Sequence, residues 1–111
     1  KLSDCITETI EDMEKNELIG PIVSHAGDGN FHVALLIDKN NKNELDKLDS
    51  FLTRISERAI RMDGTCTGEH GVGQGKRKYM LKELGNAVEI MKQVKNAFDP
   101  DKIMNPGKLF L

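Results

Sequence analysis

Apolar residues recur at helical spacing over residues 2–15. Leu2, Cys5, Ile6, Thr9, Ile10 and Met13 share one face, and Glu8, Glu11, Asp12, Glu14 and Lys15 lie opposite. Gly20-Pro21 then punctuates the chain. From Ile22 the period changes to two. A strand over 22–25 and a second over 31–37 put Phe31, Val33, Leu35 and Ile37 on one face and His32, Ala34 and Leu36 on the other. Between them stands Gly27-Asp28-Gly29-Asn30, and Asp-Gly is a preferred pair for a two-residue hairpin turn. A polar loop over 38–43 leads to a long helix, about 43–62, whose stripe is Leu45, Leu48, Phe51, Leu52, Ile55, Ala59 and Met62. Asp63-Gly64 ends it. A Gly-rich loop over 64–75 precedes a short basic helix, about 76–84, with Tyr79, Met80, Leu81 and Leu84 as its apolar residues. Gly85-Asn86 then caps a helix over 87–98 that turns Val88, Met91, Val94 and Phe98 inward, and Asp99-Pro100 stops it. The tail, 102–111, reads as irregular. This order predicts an α+β fold, an antiparallel sheet formed by a hairpin at about 20–37 and packed with helices. Two strands alone are marginal, so further strands are expected from sequence beyond this chain or from a partner.

Composition narrows the function classes. The 111 residues carry a net charge of −2, with no basic excess for general nucleic-acid binding. No 18-residue apolar run exists, so no transmembrane segment is expected. Two cysteines, Cys5 and Cys66, make no disulfide framework. Residues 1–111 are expected to form a single domain. The chain opens at Lys1 directly in a helical pattern, which reads as a piece of a longer protein.

All three histidines lie in or beside the Gly-rich loops. With Asp28-Gly29 as the turn, His25 falls directly opposite His32, and a symmetric four-residue loop over 27–30 gives the same pairing. Directly opposed residues share a face, with Cβ atoms about 4.5–5.5 Å apart. Two imidazoles there can clamp one cation, or each can be an ordinary strand residue. In the second loop Glu69 is the one carboxylate, and His70 stands beside it. Glu69 as third ligand gives a His₂Glu set with open positions; His70 as ligand gives a His₃ set. Neighbours in extended backbone point apart, so one can bind metal while the other serves as general base. The glycines fit neither a Walker loop, which needs Gly where His70 stands and Ser or Thr where Arg77 stands, nor a Rossmann fingerprint, where Lys76 blocks the match. Lys76, Arg77, Lys78 and Lys82 read as a solvated helix face, and Cys66 is a weak candidate nucleophile.

Ser24-His25-Ala26-Gly27-Asp28-Gly29-Asn30-Phe31-His32 resembles the H-x-G-D-G-N-x-H motif of the FAD-linked oxidase C-terminal domain, found in flavin-dependent D-2-hydroxyacid dehydrogenases. Thr67-Gly68-Glu69-His70-Gly71-Val72-Gly73 resembles its second motif, and the stretch from Phe98-Asp99-Pro100 to Asn105-Pro106-Gly107-Lys108 its C-terminal signature. The resemblance implies the C-terminal part of a ferredoxin-like domain, with an FAD-binding domain upstream and absent here. It implies Zn or Mn held by His25, His32 and Glu69, His70 as the base, and Asn105 as a cofactor contact. The implied reaction is oxidation of a small 2-hydroxy acid, D-lactate before glycolate, with flavin accepting hydride and passing electrons to an acceptor. Members for D-2-hydroxyglutarate carry Asn where this chain has Ala34, which favours the smaller substrate. The implied location is intracellular, cytoplasmic in a bacterium or mitochondrial in a eukaryote. A non-catalytic metal-binding module remains the alternative from another class.

Overall fold

The structure is a computed structural model, and it describes residues Lys1–Phe110. It is α+β. The regular elements are α1 (Leu2–Lys15), β1 (Ile22–His25), β2 (Asn30–Val33), α2 (Lys42–Arg61), α3 (Met80–Leu84) and α4 (Ala87–Phe98), with 3₁₀ turns at Ala26–Asp28 and Arg77–Tyr79. No described helix is long and apolar enough to cross a membrane. The chain divides into two compact units, the first Lys1–Gly64 and the second beginning at Thr65.

In the first unit α1 packs on α2. Phe51 is 1% exposed and Thr9 is fully buried, and Cys5 and Met13 are buried with them. Asp12, expected on the solvent face, is buried too. Its carboxylate accepts from Arg54 Nε at 2.9 Å to each oxygen, from Arg54 Nη2 at 2.7 Å and from Arg58 Nη2 at 2.7 Å. Arg58 Nη1 also donates to Thr9 Oγ1, which itself donates to the Cys5 carbonyl. Apolar patterning assigns a carboxylate to water; the arginines of α2 reverse that, with Asn16 Nδ2 also donating to Asp12 Oδ1 at 2.8 Å.

α2 starts where Asn41 Oδ1 accepts from the amides of Asn43 and Glu44, while Glu44 reaches back to the Asn41 amide group and to the Asp38 N–H. This resembles a capping box, but the returning bond comes from the Asn41 side-chain amide, because the Asn41 backbone N–H donates to the Asp38 carbonyl. The helix ends on paired bonds, Gly64 N–H to Ala59 and Asp63 N–H to Ile60, with Asp63 at φ 61°. The left-handed residue is thus Asp63, one before the glycine. Of the expected stripe, Phe51 is buried, but Leu45 and Leu52 are exposed.

The hairpin register differs from the expected one by two residues. His25 pairs with Asn30, and His32 pairs with Val23. The reversal runs over Ala26–Asp28 as a 3₁₀ turn and closes on Gly29 in the left-handed region (φ 69°), a conformation that glycine adopts without strain. Asp28 therefore is not the first residue of a tight two-residue turn. β2 also stops at Val33 rather than at 37. Ala34 still donates to the Pro21 carbonyl at 3.0 Å, but Pro21 has no N–H to return, so the regular ladder lapses. Beside it, a Cβ on Gly20 would lie 2.1 Å from the Ala34 oxygen, so only glycine fits this crossing.

In the second unit Tyr79, Met80 and Val88 form the apolar core. The basic segment expected as one helix is a 3₁₀ turn followed by α3. Asn86 makes no side-chain cap to α4. Val94 and Phe98, expected inward, are 53% and 82% exposed. The inward line of α4 instead runs from Val88 through Lys95 to Asp99, because Asp99 is buried to accept from the Lys95 ammonium and from the Ile103 and Met104 amides. The tail after it is irregular through Phe110; the last residue of the predicted tail, Leu111, lies outside the described residues.

Candidate metal centre

A shift of two residues leaves strand parity unchanged, so His25 and His32 remain on one sheet face. They are diagonal neighbours rather than direct partners. Their rings meet edge to face, with centroids 5.4 Å apart and planes at 88°. His25 is exposed and His32 half-buried, so ring nitrogens can be approached from outside the sheet. Two neutral imidazoles on a stiff ribbon suit a borderline divalent cation, whose nitrogen ligands stand about 2.0–2.1 Å away. Ser24, on the opposite face, ties the strands by donating to the Asn30 carbonyl at 2.9 Å. Val23 shares the face of the two histidines, a neighbour that the strand period alone would have revealed.

In the second unit, Glu69 and His70 do not point apart. The loop turns at 67–70, where the His70 N–H donates to the Thr67 carbonyl at 3.2 Å. His70 Nε2 therefore lies 3.6 Å from Glu69 Oε1, and both side chains are largely exposed. The loop is pinned at its start. Cys66 N–H donates to Glu83 Oε2 at 3.0 Å, and the Lys76 ammonium donates to the Cys66 carbonyl. Burial pushes the Glu83 carboxyl up, but bonds from Thr65 and Cys66 outweigh it and hold it below the usual carboxylate range. Burial and then Glu83 push the Cys66 thiol up to about 11, which removes it as a nucleophile at neutral pH. Arg77 is likewise structural, donating to the Gly107 carbonyl at 2.9 Å. Lys76 and Arg77 thus hold backbone carbonyls rather than forming a solvated face. Asn105 lines an open groove of about 340 Å³ with Lys92, Lys95, Lys102, Lys108 and Phe110.

Comparison with known proteins shows the family of the chain. The family described as FAD linked oxidases, C-terminal domain, matches residues 1–109. A probable mitochondrial D-lactate dehydrogenase of Danio rerio is 47% identical over 110 residues, covering 98% of this chain and 22% of the relative. A mitochondrial cytochrome-type D-lactate dehydrogenase of Saccharomyces cerevisiae is 49% identical over 106 residues, covering 95% and 18%. A glycolate oxidase subunit of Bacillus subtilis is 46% identical over 87 residues, covering 78% and 18%. The chain spans about a fifth of the length of these relatives.

Proposed function

The chain belongs to the C-terminal domain family of the FAD linked oxidases, and from that premise we propose that it is the substrate- and metal-binding part of an FAD-dependent dehydrogenase that oxidises D-lactate to pyruvate. The observation that carries the reading is the His25–His32 pair, two imidazoles 5.4 Å apart on one face of the hairpin. The family and the D-lactate dehydrogenase names of its relatives supply the reaction class.

His25 and His32 would hold a divalent cation as neutral nitrogen donors, with Glu69 as the carboxylate ligand. Bound there, the cation supplies Lewis acidity toward the substrate hydroxyl, and FAD on the remainder of the longer protein supplies the hydride acceptor. His70 takes the hydroxyl proton on a ring nitrogen. Glu69 Oε1, 3.6 Å from His70 Nε2, stands at ion-pair distance once the imidazole carries that proton. Glu83 and Lys76 hold the start of this loop in place from both sides of the Cys66 peptide.

The test is metal content and D-lactate turnover in the full-length protein. His25→Ala and His32→Ala are expected to lose both, and His70→Ala to keep the metal and lose turnover. Unchanged metal and turnover in the first two variants would sink the clamp, and loss of metal from His70→Ala would make that residue a ligand. A second reading, a glycolate oxidase subunit, is favoured by the Bacillus subtilis relative. Comparing D-lactate with glycolate, with and without partner subunits, separates the two.

A further inference from the structure

The face that carries the two imidazoles carries an apolar strip as well. Val23 stands directly opposite His32 and, by the period of two, on the same face as His25. Directly opposed residues hold their Cβ atoms about 4.5–5.5 Å apart. Pro21 and Ala34 form the next step of that face, joined by the Ala34 N–H bond to the Pro21 carbonyl. Val23 is 57% exposed, and Pro21 and Ala34 are exposed with it. Core packing within this chain therefore does not account for three apolar side chains beside a polar pair. The hairpin brings no cation of its own to the strip, since no Lys or Arg occurs between Lys15 and Lys39.

We propose that Val23 is a specificity-determining residue, whose methyl groups meet the alkyl side chain of a short monocarboxylic 2-hydroxy acid held at the His25–His32 centre. The inference rests on the dehydrogenase reading above. A 2-hydroxy acid anchored by its hydroxyl and carboxylate ends turns its third substituent toward the neighbouring surface. Against Val23 and Ala34 an alkyl group sheds water favourably. A second carboxylate would be desolvated there with no cation from the hairpin to receive it. One methylene in such a contact changes discrimination by about 10–200-fold.

The test uses the full-length protein and two variants. Val23→Ala enlarges the space, and Val23→Thr keeps the shape and branching while replacing a methyl with a hydroxyl. D-lactate, D-2-hydroxybutanoate and D-2-hydroxy-3-methylbutanoate are compared by kcat and KM. Binding of the three matching 2-oxo acids to the oxidised protein is measured by calorimetry, a readout without turnover. Val23→Ala is expected to shift the kcat/KM ratio of the branched acid to D-lactate, and the matching ratio of binding constants, by about 10-fold. Val23→Thr is expected to raise KM for all three several-fold with kcat nearly unchanged. Metal content and melting temperature are expected to stay at wild-type values in both. Unchanged ratios in both variants, with metal and folding intact, would overturn the inference and leave the dehydrogenase reading standing. Metal loss from Val23→Ala would also overturn it, by making the residue a prop of the clamp. A wild-type protein that oxidises none of the three acids would remove the reading itself, and the inference with it.

Discussion

Asp12 is a buried carboxylate between two guanidinium groups, and the pairing of α1 with α2 depends on its charge. Burial raises its carboxyl, but the bonds from Arg54 and Arg58 outweigh burial and leave it below the usual range. A group depressed in the folded state contributes stability that is fully present above its unfolded value, about pH 4, and is lost as pH falls through the lower folded value. Arg58→Ala leaves the carboxylate half-paired and should cost about 2–4 kcal/mol at pH 7. In urea titrations that penalty should shrink as the pH is lowered through the acid limb, because protonated Asp12 no longer needs the partner. A penalty independent of pH would mean that Arg58 acts through packing alone. Cys66 gives a second residue-scale expectation. Buried and held as a thiol up to about 11, it should resist a thiol reagent at pH 8 in the folded protein and react on unfolding. Cys5 is buried and raised as well, so both cysteines should become reactive together.

The hairpin shows what an element's sequence can and cannot specify. Alternation and a Gly-rich turn placed His25 and His32 on one face, and that survives. The pairing did not, because Asp28-Gly29 is a strong turn signal read in isolation, while the chain reverses earlier, over Ala26–Asp28, with Gly29 left-handed. An error of two residues preserves parity, whereas an error of one would have turned a histidine away. The long helices were legible from their amphipathic period. Asp12 was not, because its partners Arg54 and Arg58 lie 42 and 46 residues away in sequence. For Glu69 and His70 only the side-chain directions differ from expectation, since the turn at Thr67 replaces the extended backbone that splays neighbours. Gly20 carries a prediction at this scale. Its missing Cβ would meet the Ala34 oxygen at 2.1 Å, so Gly20→Ala should cost about 3 kcal/mol or more and, on the metal-clamp reading above, weaken metal retention with it. Thermal melts beside metal analysis check both, and a wild-type melt would show that the strands part there without penalty.

At the scale of the molecule, the apolar surface of the second unit stands out. Ile90, Val94 and Phe98 recur every four residues along α4, and Phe98 is 82% exposed. Helical period reports that a face is apolar, not that these 111 residues bury it, which is why Val94 and Phe98 were expected inside. Removing an exposed ring loses little, so Phe98→Ser should change the stability of this chain by less than about 0.5 kcal/mol. A larger loss in chemical unfolding would show that the ring is covered in solution. The chain spans about a fifth of its relatives, and on the reading above the flavin is held elsewhere. Expressed alone, it should therefore be colourless and should not turn over D-lactate; a yellow preparation would contradict this. Reduced flavins that meet oxygen release hydrogen peroxide, and peroxide attacks thiolate sulfur far faster than thiol. Cys66 lies three residues before Glu69, and its burial beside Glu83 keeps it protonated. On the dehydrogenase reading, the loop can thus carry a sulfur atom near reduced flavin without wearing out by oxidation.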